Sequence, residues 1–149
     1  MDWNTLFTVV VTAVFVPWLA LIAGPRGPKT HALIFYLGIG MLALAYSVVI
    51  VTMQFSSGGI DWAALGTIEG VRGLFATDAG VTLGWIHYLA FDLFVGQWIA
   101  KDADHKMVSR IAQAPILILT LFAGPLGLFV WMVVRERRAR ALAGIRSKA

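Results

Sequence analysis

Two ionisable residues, His87 and Asp92, stand inside an apolar stretch that is long enough to cross a membrane. The stretch, residues 81–100, reads VTLGWIHYLAFDLFVGQWIA and also contains Gln97. An ionisable side chain near the middle of a spanning helix is costly unless it is paired or faces a polar cavity, so such residues are candidates for function. Because burial favours the neutral form of a carboxyl group, Asp92 could donate a proton near neutral pH while His87 accepts one.

Helical geometry keeps these two residues apart. His87 and Asp92 are five positions apart, which is about 140° around a straight helix, so they cannot form a couple unless a bound molecule, a water or another helix lies between them. Tyr88 and Asp92, at i and i+4, can meet directly. His87 and Asp92 are therefore the candidate catalytic residues; the alternative is that each is structural. The residues predicted to bind a ligand beside them are Trp85, Tyr88, Phe91, Gly96 and Gln97.

The elements that must position these residues are membrane spans. The chain has 149 residues, of which 59% are hydrophobic and 13% charged, and its mean hydropathy is +0.80. These values are typical of membrane proteins. Four apolar runs predict spans at about 5–23, 32–53, 80–100 and 112–134, each near the ~20 residues that cross a bilayer.

The segments between and after the runs complete the predicted architecture. Residues 67–77, between the second and third runs, have apolar positions at helical spacing and predict a short interfacial helix. Residues 135–149 form a basic tail. We therefore expect a single all-α domain, residues 1–149, folded as an integral membrane four-helix bundle with a short interfacial helix between spans 2 and 3.

Proline and charge positions refine this prediction. Pro17 is expected to kink the first run, and Pro125 to kink the fourth or divide it into half-helices. Four spans place both termini on one side, and the basic tail favours the cytoplasm for that side. Since no basic segment of a signal peptide and no transit peptide precedes the first run, we expect a bacterial inner-membrane protein with both termini cytoplasmic.

Several kinds of site are excluded or disfavoured. The chain contains no cysteine, which excludes disulfides, thiol catalysis and thiolate metal sites. His31 and His105 accompany Asp102 and Asp104 near one membrane face, but this pattern is more typical of a solvated turn than of a metal site. Bis-histidine haem ligation is rejected because only His87 lies inside a run. We predict no metal and no cofactor.

The charge distribution points to lipid as the surrounding partner. The net charge of +4 comes from the flanks of the apolar runs, where basic residues contact lipid headgroups and set topology. Membrane lipid is therefore the expected partner, and nucleic acid is not. A homo-oligomer is left open.

The third and fourth runs together resemble a known family. The core W-x-H-x-L-A-x-D-L-F at residues 85–94, followed by G-P-x-G at 124–127, resembles the ABA4-like family of small integral membrane proteins over nearly the whole chain. Plant members are chloroplast proteins required to make neoxanthin from violaxanthin on the route to abscisic acid. The resemblance implies a carotenoid-linked membrane role, with an epoxy-xanthophyll isomerase as one form of it. Opening the epoxide to an allenic alcohol needs an acid and a base but no redox cofactor, and Asp92 and His87 match the family core.

Two functions stay open at this point. The favoured one is a membrane protein that binds or isomerises a long apolar isoprenoid, such as a carotenoid, in a slot between helices. The rival is a non-catalytic accessory or assembly protein that uses small residues of the third span for helix–helix contact. A proton or solute path through Asp92 is a third and weaker option, because four short spans leave little room for it.

Overall fold

The computed structural model describes residues 2–56 and 59–146, with side chains as far as residue 140, and every regular element in that part of the chain is helical. The all-α prediction is confirmed, as is a short helix (α5) between the second and third runs. The elements are α1 (Trp3–Ala13), α2 (Phe15–Ala23), α3 (Pro28–Leu33), a π-helical stretch (Ile34–Ile39), α4 (Gly40–Phe55), a 3-10 turn (Ala64–Gly66), α5 (Ile68–Phe75), α6 (Asp78–His105), α7 (Arg110–Phe122) and α8 (Gly124–Arg146).

Three helical segments are long and apolar enough to cross a membrane. They are Trp3–Ala23, Pro28–Phe55 and Asp78–His105, of 21, 28 and 28 residues. Many large apolar side chains on their outer surfaces are exposed, which suits contact with lipid tails rather than water. The predicted membrane class is therefore confirmed.

The first two spans contact each other where the α-helix of each is interrupted. The helix of the first span is interrupted at Val14, three residues before Pro17, because the missing N–H of Pro17 leaves the carbonyl of Ala13 without its helical partner. Gly38, in the π-helical stretch of the second span, lies against this site. A Cβ atom at position 38 would come within 3.0 Å of Pro17 Cβ and 3.1 Å of Leu93. The absence of a side chain at Gly38 thus lets the kinked span approach α6.

Helix α6 is the centre of the bundle, and α1, α2, α4, α5, α7 and α8 all contact it. Most of its inward positions are apolar and interlock with large side chains of the surrounding helices. Full burial of these residues fixes which side of α6 faces each neighbour. The largest of these fully buried apolar side chains are Trp18, Leu21, Ile86, Leu93, Ile99, Leu117 and Trp131.

The fourth apolar run does not form one helix. Helices α7 and α8 are separated by Ala123, whose backbone angles are not helical (φ −151°, ψ 69°). Beyond this break the chain reverses, because a Cβ atom at Gly127 would lie 2.6 Å from Cα of Thr120, whereas a continuous helix holds residues seven apart at about 10 Å. Pro125 occupies the second position of α8, where a helix does not need its N–H. The predicted division near Pro125 is thus present, and it makes a hairpin.

Both open ends of this hairpin lie at the C-terminal end of α6. Near the start of α7, Gln113 donates to Asp104 over 3.0 Å. In α8, Arg135 donates to Asp102 over 2.7 Å. Residues up to 146 of the predicted tail continue α8 as helix, and residues 147–149 lie outside the described part of the chain.

The reversal changes the topology. Because three segments cross and the fourth returns, Trp3 and the end of α8 lie at opposite faces, so the expectation of both termini on one face is wrong. It counted the fourth run as a span. Except for Arg72, the basic residues within the described ranges lie at the face where α6 ends, which we name the basic face. They are Arg26, Lys29, Lys101, Lys106, Arg110, Arg135, Arg137, Arg138, Arg140 and Arg146.

Single cysteines can test this topology, because the native chain contains none. We expect cysteines that replace Lys29 and Arg140 to react with an impermeant maleimide from the same side of sealed vesicles, since both lie at the basic face. A cysteine at Glu69, in α5 at the opposite face, should react only from the other side. If position 140 reacts together with position 69, the fourth run crosses the membrane and the hairpin is contradicted.

Candidate functional site

Asp92 lies in the middle of α6 and faces the tip of the α7–α8 hairpin. The residue is only 7% exposed, and its carboxylate occupies the space in which a side chain at Gly124 would begin. It lies beside the Gly124 backbone amide and the Tyr88 hydroxyl. Its Oδ2 atom has no hydrogen-bond partner among the described residues. Since buried polar atoms are nearly always paired, this oxygen needs an explanation.

The hairpin tip provides an environment that suits a carboxylate. The first N–H groups of α8 have no intrahelical acceptor, and the helix dipole places partial positive charge at that end. The absence of a side chain at Gly124 makes room for Asp92, and its absence at Gly127 lets the two helices touch at Thr120. The G-P-x-G element of the sequence therefore has a physical role. It builds a helix start inside the membrane and directs it at Asp92.

Tyr88 holds the other side of the tip. Its hydroxyl donates to the carbonyl of Phe122 over 3.1 Å, and this carbonyl is among the last of α7, which have no partner within their own helix. Tyr88 and Asp92 lie next to each other, as their i and i+4 positions predict. Adjacent residues of one stripe of α6 thus contact the end of α7 and the start of α8.

The hairpin covers only the half of α6 that leads to the basic face. On the other half, Trp85 is 45% exposed and packs between Phe7, at 6.0 Å between ring centroids, and Tyr88, at 5.6 Å. Phe122 at the tip is 71% exposed. We name Phe7, Trp85, Tyr88 and Phe122 the tip aromatic surface. The exposed rings of this surface face the lipid. Asp92 is buried beneath them, next to the hydroxyl of Tyr88.

His87 lies on a different side of α6. Its side chain is exposed and its ring packs against Tyr46 and Phe91, with centroids 5.6 Å and 4.7 Å away. The separation from Asp92 agrees with the 140° expected from helical geometry. None of the described side chains bridges the two residues, so the structure does not assemble them into one acid–base pair.

Gly96 and Gln97 are used in contacts between helices. Gly96 is buried beneath the indole of Trp18. The amide of Gln97 is buried and donates to the carbonyl of His31 over 2.6 Å, which is the interhelical hydrogen bond that its position in a span favours. Of the predicted ligand residues, Trp85 and Tyr88 therefore lie near Asp92, and Phe91 lies beside His87. Gly96 and Gln97 lie in the core.

The acidic residues at the end of α6 form ion pairs. Asp102 binds Lys106 at 2.8 Å and Arg135 at 2.7 Å, and Asp104 binds Arg26 at 2.6 Å. Within residues 2–56 and 59–146, no group of three or more His, Asp or Glu side chains is placed to hold a metal ion. The Asp-x-Asp-His pattern is therefore the last turn of α6 rather than a solvated loop. Asp102 and Asp104 tie the hairpin and the first loop to this helix.

The sequence did not identify Phe122 and Gly124 as parts of the site. The position of G-P-x-G in the middle of the fourth run was the available signal, since glycine and proline there interrupt a helix within the hydrocarbon. Broken helices at the membrane midplane frequently form polar sites from their ends.

The fold and site define a class: an α-helical membrane protein with three spanning segments and a helical hairpin that meets a buried carboxylate halfway across. Residues 5–131 match the sequence profile of the ABA DEFICIENT 4-like family. The chain belongs to this family, which confirms the resemblance seen in the sequence. No curated protein and no solved structure gave a significant match to the chain.

Substitution of Gly124 tests the contact between the hairpin tip and Asp92. We expect Gly124→Ala to lower the free energy of unfolding by about 1–3 kcal/mol, because the new methyl group overlaps the carboxylate. Gly73→Ala is the matched control, since a Cβ atom there has no neighbour within 4 Å. Unfolding in detergent, followed by tryptophan fluorescence, measures both.

A double substitution separates this contact from other effects. In an Asp92→Ala background the space beside position 124 is larger, so Gly124→Ala should cost less there than in the native chain. An equal cost in both backgrounds, or a Gly124→Ala variant as stable as Gly73→Ala, would contradict the described contact.

Proposed function

We propose that this protein binds an oxygenated, carotenoid-like isoprenoid at the tip aromatic surface and isomerises it by proton transfer that involves Asp92 and Tyr88. One observation carries the proposal: Asp92 stands halfway across the membrane with an unpartnered carboxylate oxygen, behind an aromatic surface that opens to lipid. Intramembrane ionisable residues of this kind mark functional sites. Membership of the ABA4-like family supports a carotenoid-linked role.

The position of the surface selects the class of ligand. A molecule that reaches it must dissolve in hydrocarbon, because the surface lies between the membrane faces. Exposed rings such as Trp85 and Phe122 offer flat apolar area against which a conjugated chain can pack. The nearby polar groups, the hydroxyl of Tyr88 and the carboxyl of Asp92, would receive an oxygen atom of the ligand. These features fit a long polyene that carries an oxygen near one end.

The proposed reaction requires only proton transfer. When an epoxide opens to an alcohol, a C–O bond breaks and an O–H bond forms, while loss of a proton from a neighbouring carbon creates the new C=C bond of the allene. The proton given to oxygen is matched by the proton taken from carbon, so the acid returns to its starting state. The half-buried Tyr88 would relay the proton of Asp92, and the two carboxylate oxygens can serve donation and acceptance in turn.

This scheme differs from the sequence prediction, in which Asp92 and His87 were both candidate catalytic residues. His87 lies on another side of α6 from Asp92 and Tyr88, so a ligand at the tip aromatic surface would not contact it. We therefore assign the base step to the carboxylate of Asp92 and no step to His87.

The test is conversion of an epoxy-xanthophyll in a bacterial host that accumulates violaxanthin. We expect the native chain to produce a new allenic pigment, identified by chromatography and absorption spectrum. Asp92→Asn and Tyr88→Phe should reduce conversion by about 10²-fold or more, the usual contribution of a general acid. His87→Gln is the matched control, an equally small change on the same helix, and it should retain conversion.

Each outcome of this test is informative. All variants must show the elution profile and helical content of the native chain, so that loss of conversion is not loss of folding. Full conversion by Asp92→Asn would make Asp92 structural. A native chain that neither binds nor converts the pigment would rule out the proposed function.

The accessory-protein alternative receives less support. It relies on the small residues of α6 for contact with a partner. In the structure, however, Gly80 lies against Leu74 and Gly84 against Phe75, at the end of α5. The chain therefore covers these glycines itself.

We further propose that the basic face is cytoplasmic and that the start of α1 lies on the opposite side of a bacterial inner membrane. The support is the distribution of Lys and Arg, with Arg72 as the exception at the opposite face, since cytoplasmic loops carry the excess of these residues. Labelling of position 140 in inverted vesicles compared with intact cells decides the orientation.

A further inference from the structure

A pocket lies at the basic face, about 18 Å along α6 from Asp92. It has a volume of about 710 Å³ and opens between the start of α3 and the end of α6. Arg26, His31 and Lys101 form a polar side, and Phe35 and Tyr36 form an apolar side. The proposed isomerase activity does not involve this pocket.

Buried nitrogen atoms in this lining lack partners. Arg26 is 11% exposed in its side chain, and its Nη1 atom donates to Asp104 over 2.6 Å and to the carbonyl of Ala100 over 3.3 Å. Its Nε and Nη2 atoms have no partner among the described residues, and neither has Nδ1 of His31. The Nε–Nη2 edge of a guanidinium group is suited to bidentate binding of a phosphate. These nitrogen atoms have almost no accessible surface, so an anion in the pocket would accept from them only after the side chains of Arg26 and His31 turn towards it.

The charges around the pocket also favour an anion. Lys101 is exposed and forms no ion pair among the described residues. The acid in the lining is Asp104, whose Oδ1 already accepts from Arg26 and Gln113. Asp104 is therefore neutralised by Arg26, which leaves the positive charge of Lys101 in excess. His105 lines the same pocket.

An apolar groove continues from the pocket along the second span. Ala32 and Tyr36 line both the pocket and a groove of about 470 Å³ that runs past Leu33 and Leu37. Apart from Lys29 at its rim, the side chains that the groove adds are apolar. A polar pocket at the membrane surface that continues into an apolar groove matches a molecule with a charged head and a hydrocarbon chain.

We infer that this pocket binds the phosphate headgroup of an anionic phospholipid, whose acyl chain lies in the groove. Basic pockets between helices at the cytoplasmic side of membranes recognise such headgroups. Lys101 would bind the phosphate at the opening, the side chains of Arg26 and His31 would turn towards it, and Tyr36 would lie along the start of the chain. Inorganic phosphate shares the headgroup chemistry but has nothing to fill the groove.

The experiment uses the purified full chain in detergent after removal of bound lipid. Phosphatidylglycerol, phosphatidylcholine and inorganic phosphate are added separately; native mass spectrometry measures retention of the two lipids, and the shift in Tm measures stabilisation by each probe. We expect phosphatidylglycerol to be retained and to raise Tm, phosphatidylcholine to bind more weakly, and inorganic phosphate to have little effect.

Two variants address the two parts of the site without touching the ion pair of Arg26. Lys101→Gln removes charge at the opening and should weaken phosphatidylglycerol binding on the order of fivefold, the usual effect of one basic residue at an anionic membrane surface. Ala32→Trp fills the junction of pocket and groove and should weaken binding without a change of charge. Arg137→Gln is the matched control: it removes a basic residue of the same face that lies outside the pocket.

The inference is overturned by any of three results. Equal retention of phosphatidylcholine would exclude recognition of anionic charge. Equal stabilisation by inorganic phosphate would exclude the groove. If Lys101→Gln and Ala32→Trp, with unchanged elution and helical content, both bind phosphatidylglycerol as the native chain does, the lipid binds elsewhere.

Discussion

A helix that ends within the hydrocarbon leaves backbone groups that water cannot reach, and the hairpin of this protein depends on how those groups are satisfied. Tyr88 donates to a terminal carbonyl of α7, and the carboxylate of Asp92 lies against the first amide of α8. Both side chains come from one stripe of α6. The tip is therefore stabilised by the same residues that form the candidate site, which explains how costly polar groups are accommodated at this depth.

The other end of the hairpin is anchored by charge. Asp102 accepts from Trp131 and Arg135 of α8, while Asp104 joins Arg26 of the first loop to Gln113 of α7. These groups lie near the membrane surface, where ion pairs are less costly than at the midplane. Polar contacts thus hold the hairpin at both ends, and apolar packing around Leu117 and Trp131 fills the space between.

Much of the central helix could be predicted from the sequence because its properties are local. Helical periodicity gave the adjacency of Tyr88 and Asp92 and the separation of His87, and the structure agrees with both. The reversal at Ala123 could not be predicted in this way, since hydropathy records apolar content but not chain direction. G-P-x-G is compatible with a kink and with a hairpin, and only the contact of Gly127 with Thr120 distinguishes them. For the same reason, neither the side chain that covers Gly96 nor the acceptor of the Gln97 amide could be identified from the sequence.

The distance between the two arms of the hairpin tests most directly whether the chain reverses beside Asp92. Ser109 and Arg137 line one groove at the basic face, so spin labels at these positions in the otherwise cysteine-free chain should lie about 20 Å apart or less, given a spacing of 8–10 Å between packed helices. Electron paramagnetic resonance in lipid nanodiscs measures this distance. If residues 109–137 formed one continuous helix, the labels would lie about 42 Å apart, and the hairpin with its site at Asp92 would be contradicted.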